Sequence, residues 1–174
     1  MSDIQDLHAA VRDVPDFPKP GIIFKDITPI LADPVLFKKA VHLLAETVGE
    51  QKIDKIVGVE ARGFIFGGAM AHHVGAGFVP LRKKGKLPGK THETSYTLEY
   101  GEAVIELHQD AIQPGETVLL VDDLLATGGT AAAAVNLVQQ LDAKLVGIAV
   151  LVELEFLNGR DKLSDHSIFS ILQY

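Results

Sequence analysis

Val118-Leu119-Leu120-Val121-Asp122-Asp123-Leu124-Leu125-Ala126-Thr127-Gly128-Gly129-Thr130 is the stretch from which the fold can be read. Its first half is continuously apolar, as a strand buried on both faces of a parallel sheet must be. The strand is expected over 117–121, followed by a loop with two acids and two glycines. A helix is expected over 130–141, opening with Ala131, Ala132, Ala133 and Ala134. In open parallel sheets ligands bind beyond the C-terminal ends of the strands. Gly128 and Gly129 let backbone N–H groups approach an anion closely, and the helix N-terminus adds a favourable partial charge. Thr127 and Thr130 add hydroxyl donors, and Ala126 begins the turn. Asp122 and Asp123 would repel a phosphate, so they must face another part of the ligand. Two neighbouring ribose hydroxyls suit two carboxylates. Acids followed by a Gly-Thr turn therefore fit a ribose 5-phosphate in size and order. No Gly-Lys-Ser/Thr is present, which excludes a Walker loop. No G-x-G-x-x-G opens a helix after a strand, which argues against a dinucleotide site.

Outward from this segment, strands and helices alternate. Strands are expected over 53–59, 78–81, 144–152 and 168–172, and a helix over 63–74 ended by Gly75. Residues 83–95 are basic and contain Gly and Pro, as a mobile loop or open hairpin would, with antiparallel strands over 96–100 and 103–107. This order implies an α/β fold with a mainly parallel sheet covered on both faces. Near the N-terminus a short helix is expected over 4–14. Residues 15–21, with three prolines and a final glycine, cannot be helix or central strand. Phe17, Ile22, Ile23 and Phe24 are expected to be buried. Asp33-Pro34 reads as N-cap and first residue of a helix stopped by Gly49.

The chain has 174 residues, 47% of them hydrophobic and 22% charged, as one globular domain would. With 16 basic and 23 acidic residues the net charge is −7, which argues against nucleic-acid binding. There is no cysteine, hence no disulfide and no thiolate metal site. The longest apolar run, 145–152, is too short to span a bilayer. The acidic, polar start does not resemble a signal peptide, so a cytoplasmic location is the default expectation.

The 118–130 segment is similar to the signature of type I phosphoribosyltransferases, in particular of members that use adenine. Phe17 to Pro29, reading FPKPGIIFKDITP, resembles their N-terminal base-binding segment. Glu60-Ala61-Arg62-Gly63-Phe64 resembles their pyrophosphate loop. Arg82 to Gly89 and Ser95 to Gly101 resemble their flexible loop. The resemblance implies a twisted, mainly parallel sheet flanked by helices, within one domain over 1–174. It also implies a base-binding hood over 1–34 and a flexible hairpin over 82–106. The co-substrate would be phosphoribosyl pyrophosphate, with Mg²⁺ carried by its pyrophosphate, and the assembly a homodimer.

Residue by residue, the resemblance implies ribose binding by Asp122 and Asp123 and 5-phosphate binding by Ala126, Thr127, Gly128, Gly129 and Thr130. Pyrophosphate would meet Glu60, Ala61, Arg62, Arg82, Lys83 and Lys86. A strand end passing into a helix at 59–63 and the cations Arg82, Lys83, Lys84, Lys86 and Lys90 suit that role, although a basic loop alone reads more readily as a solvated turn. Adenine would lie against Phe24 and Leu124, with Ile23 and Lys25 backbone groups at its edge and Arg62 nearby. Phe24 reads equally well as a core side chain. Glu99 would take the proton that adenine loses, with Tyr100 positioning the loop; Glu102 is the alternative on sequence alone. His72-His73, adjacent near a helix C-terminus, reads as structural. The same chemistry on a 6-oxo purine, and a non-catalytic sensor of phosphoribosyl pyrophosphate, are the competing readings.

Overall fold

The computed structural model describes residues 2–97 and 102–174. The chain divides into two compact units, Met1–Leu43 and Leu44–Tyr174.

In the first unit, helix α1 (Asp3–Ala10) opens with a capping box. Ser2 Oγ accepts from the Gln5 N–H at 3.3 Å, and Gln5 Oε1 accepts from the Ser2 N–H at 2.9 Å. The helix is shorter than the 4–14 expected. Past Ala10 the chain turns into strand β1 (Arg12–Pro15), which pairs antiparallel with β2 (Ile23–Asp26) and so draws residues 12–15 into an extended conformation. Pro15 is tolerated because it ends an edge strand. Asp26 accepts from Arg12 Nε at 3.0 Å and from the Thr28 N–H at 2.9 Å, tying β2 to β1 and to helix α2 (Thr28–Ala32). The expected burial of the segment after Pro15 does not hold. Phe17 is 52% exposed and Ile23 57%, with Ile22 also exposed. The hairpin has only two strands and cannot cover its own outer side. Helix α3 (Pro34–Glu46) starts as read, with Asp33 Oδ1 accepting from the Val35 and Leu36 N–H groups at 2.8 and 2.9 Å.

The second unit is built on a seven-stranded sheet in the order β5-β6-β4-β3-β7-β8-β9. Its strands are β3 (Lys55–Val59), β4 (Gly77–Lys83), β5 (Thr91–Thr97), β6 (Glu102–His108), β7 (Thr117–Leu125), β8 (Lys144–Glu153) and β9 (Ile168–Gln173). Strands β4, β3, β7, β8 and β9 run parallel, and the β5–β6 hairpin is antiparallel. Helices α4 (Gly63–Val74) and α5 (Gly129–Gln140) supply the covering layers. Successive strand residues point to opposite faces. Val57 and Val59 join Val118, Leu120, Ile148 and Val150 in the core that α5 seals with Ala134, Leu137 and Val138. Ile56 and Gly58 face α4 instead, where Gly67 packs against them.

The largest departure from the sequence reading is the length of β7. It does not stop at Val121 but runs through both acids to Leu125, since β8 offers partners that far: Asp122 registers with Val150 and Leu124 with Val152. Two short 3-10 helices, over Glu155–Leu157 and Gly159–Leu163, were not expected. No helix among the described residues is long and apolar enough to cross a membrane.

Candidate active site

A cavity of about 400 Å³ opens at the C-terminal ends of β3 and β7. Glu60, Ala61 and Arg62 line it from the turn after β3. Asp122, Asp123 and Leu124 line it from the end of β7, and residues 126–130 from the turn into α5. Lys83 and Tyr96 complete the wall from the hairpin side. The residues that the sequence reading assigned to ribose and 5-phosphate, and four of the six it assigned to pyrophosphate, thus line one space.

The turn after β7 owes its shape to Gly128, whose φ of 77° lies in the left-handed region. Gly128 is the N-cap of α5, and its carbonyl accepts from the Ala132 N–H at 2.9 Å. The N–H groups at the start of α5 have no intrahelical acceptor and form an uncharged donor set for an anion.

The two acids are not equivalent. Asp123 is 6% exposed and accepts from Arg62 Nε at 2.5 Å, which ties the end of β7 to the turn after β3. Asp122 Oδ1 accepts from the Asp123 N–H at 2.8 Å. Burial pushes the Asp122 carboxyl well above the usual carboxylate range, and the neighbouring Asp123 charge adds to the shift. The two carboxyls thus sit in different electrostatic surroundings, Asp123 charge-paired with Arg62 and Asp122 with its charged form disfavoured by burial.

Two of the expected pyrophosphate cations, Arg82 and Lys86, are arranged around Glu60. Its Oε1 accepts from Arg82 Nη2 at 2.9 Å and Lys86 Nζ at 3.1 Å, and its Oε2 from the Lys83 N–H at 3.0 Å. Arg82, then burial opposing it, then the Lys83 N–H set the Glu60 carboxyl, which lies lowered to about 2. Arg82 and Lys86 are not part of the cavity wall; they reach it through Glu60, which is. The peptide between Glu60 and Ala61 is cis. Behind the loop, buried Glu106 accepts from the Lys86 and Leu87 N–H groups at 3.0 and 2.9 Å, fixing the start of the hairpin.

Ile23, Phe24 and Lys25 belong to the first unit. There Phe24 meets Phe17 edge-on at 5.3 Å between ring centroids, and Lys25 pairs with Asp13 at 2.7 Å. Glu99 and Tyr100 lie outside the described residues. Tyr96 was missed as a site residue; the β5 pairing register, which the sequence did not reveal, brings it to the cavity.

The phosphoribosyl transferase domain family matches residues 26–172. The chain is 56% identical over 173 residues to the adenine phosphoribosyltransferase of Acidothermus cellulolyticus, covering 99% of this chain and 98% of that protein. The crystal structure of adenine phosphoribosyltransferase from Rhodothermus marinus, 53% identical, superposes with a TM-score of 0.94 over 99% of this chain and 98% of that one. The enzyme from Saccharomyces cerevisiae, solved with an imino-altritol bisphosphate and adenine, is 46% identical with a TM-score of 0.93, covering 98% of each chain. With the acid pair, the glycine turn and the strand order in place, this chain belongs to the adenine phosphoribosyltransferases of the phosphoribosyl transferase family.

Proposed function

We propose that the chain transfers the 5-phosphoribosyl group of phosphoribosyl pyrophosphate to adenine, giving AMP and pyrophosphate, as a purine salvage enzyme. The observation that carries this reading is the single cavity shared by Asp122 and Asp123, the 126–130 turn and Glu60 to Arg62. The names of the relatives, and the adenine and bisphosphate bound to the yeast enzyme, support the same substrates.

In this reading the α5 N-terminus, with Thr127 and Thr130, holds the 5-phosphate. Asp122 and Asp123 hold the ribose hydroxyls. The bond from ribose C1 to the pyrophosphate oxygen breaks as C1 bonds to adenine N9, through an oxocarbenium-like transition state comparable to that of glycoside hydrolysis. Positive charge on the ring is then met by the Asp123 carboxylate. Ala61, Arg62, Lys83, Arg82 and Lys86 receive the departing pyrophosphate. Ile23, Phe24, Lys25 and Leu124 hold the base. Glu99 takes the N9 proton, with Tyr100 positioning its loop. Mg²⁺ carried by the substrate would neutralise its diphosphate as the C1 bond breaks. Family membership also supports a homodimer, which sedimentation would test, and a cytoplasmic location.

The test is pyrophosphate release with Mg²⁺ and phosphoribosyl pyrophosphate, offering adenine, hypoxanthine, guanine and xanthine in parallel. Release with adenine alone is expected. Release with an oxo-purine would overturn the base assignment, and silence with all four would overturn catalysis.

A further inference from the structure

The segment after β8 has no part in the mechanism above, yet its backbone lies directly against the phosphate turn. Gly159 opens the second 3-10 helix and is buried. A Cβ on Gly159 would lie 2.3 Å from the Ala126 carbonyl oxygen and 3.1 Å from the Gly128 nitrogen. A Cβ on Gly128 would in turn lie 2.3 Å from the Gly159 carbonyl oxygen. The two backbones are therefore in mutual contact with no room for a side chain on either. Gly159 has no positive φ, so contact rather than backbone conformation demands a glycine there.

The next residue fixes this contact in space. Arg160 Nε and Nη2 donate to the two oxygens of Glu153 at 2.6 and 2.7 Å. Glu153 is 3% exposed and ends β8. The same guanidinium donates to Ser170 Oγ at 3.1 Å and to the Ile168 carbonyl at 3.3 Å, both on β9. A planar fork with this many fixed acceptors has little freedom. Beside it, the Leu154 N–H donates to the Leu125 carbonyl at 2.9 Å, one residue before the turn. The turn at 126–128 is thus braced from behind by a rigid frame of β8, β9 and Gly159.

We propose that Gly159, held by the Arg160–Glu153 pair, is a positioning element for the 5-phosphate turn, setting the direction in which its N–H groups point. The proposal rests on the reading that residues 126–130 bind the 5-phosphate. An uncharged donor set depends on orientation more than a cationic one does, because hydrogen bonds weaken steeply as their angle opens. A shift of the turn would therefore reduce affinity for the sugar phosphate without touching the groups that act at C1.

The test compares Gly159→Ala, Arg160→Gln and Arg160→Lys with Thr127→Val and Thr130→Val in the full chain. Ribose 5-phosphate is titrated calorimetrically, KM and kcat are measured for phosphoribosyl pyrophosphate, and melting temperatures are recorded. Gly159→Ala and Arg160→Gln are expected to weaken ribose 5-phosphate roughly tenfold, about one well-made hydrogen bond to a charged group, and to raise KM in step. The kcat at saturation should stay within about threefold, because interactions lost equally from ground and transition states appear in KM. Arg160→Lys should recover part of the affinity, keeping the charge on Glu153 but not the fork. Variants that melt earlier yet bind ribose 5-phosphate like the parent would overturn the proposal, leaving the pair a purely structural one. If Gly159→Ala does not fold, unchanged affinity in Arg160→Gln overturns it alone. If both threonine variants bind normally, the phosphate-turn reading itself fails; if they weaken binding and the Gly159 and Arg160 variants do not, only the positioning proposal fails.

Discussion

At residues 126–130 the proposed anion site is made of uncharged donors, backbone N–H groups with the Thr127 and Thr130 hydroxyls, and at 82–90 it is made of charged side chains. The first has no cation of its own. Its proposed donors are the N–H groups at the head of α5, held by the left-handed Gly128, and the hydroxyls of Thr127 and Thr130. The second is rich in cations, but carboxylates already occupy three of the five: Arg82 and Lys86 on Glu60, and Lys84 on Glu93 at 2.7 Å. The contrast suits two different tasks. A sugar phosphate that must stay in place is met by donors that need no rearrangement. A pyrophosphate that must leave is met by cations with an alternative partner waiting. Glu60 would exchange with the departing anion, so that Arg82 and Lys86 keep an anionic partner in both the empty and the filled site.

The largest effect is expected on the backbone side. Gly128→Val meets both a left-handed φ and the Gly159 carbonyl, and should lower kcat/KM for phosphoribosyl pyrophosphate at least about a hundredfold and cost about 2–4 kcal/mol of stability. Steady-state kinetics and thermal melts check this; full activity would remove the turn from the site. Next is Glu60→Gln, which keeps shape and removes the competing charge. Pyrophosphate should then bind about threefold to tenfold more tightly by calorimetry. Weaker binding would show that Glu60 arranges the cations rather than competing for them.

The same residue predicts a pH dependence. The folded Glu60 carboxyl lies at about 2, below its ordinary 4.5. Its contribution to stability is complete above 4.5 and is lost as pH falls towards 2, because the unfolded chain takes up the proton first. Melting temperatures should fall less steeply through that window in Glu60→Gln than in the parent; parallel curves would refute the assignment. The smallest effect concerns salt. Raising ionic strength should weaken pyrophosphate about twofold to threefold more than ribose 5-phosphate, since exposed cations are screened and fixed backbone donors less so. Equal slopes would erase the distinction between the two sites.

Much of this was legible in local pattern. The apolar run before Asp122, the Asp33-Pro34 helix start and the left-handed Gly75 are constraints on a few neighbouring residues, and they held. The misreadings were non-local. Twin acids look like a loop, yet β8 supplies a hydrogen-bonding edge that carries β7 through them. Phe17 and Ile23 look like core, yet a two-stranded hairpin buries neither. Residues 155–163 carry no motif, and their contact with the phosphate turn is invisible without coordinates.

By itself the sequence determined the α/β class, the glycine turn and the kinds of group that line the site, because each depends on the burial and dihedral needs of short segments. Only the tertiary structure decided how those groups are paired. Arg62 meets Asp123 across 61 positions, and Glu60 meets Lys86 across 26. Which charge neutralises which, and in which direction each carboxyl is shifted, follows from distance and burial, and those exist only once the sheet has brought distant strand ends together.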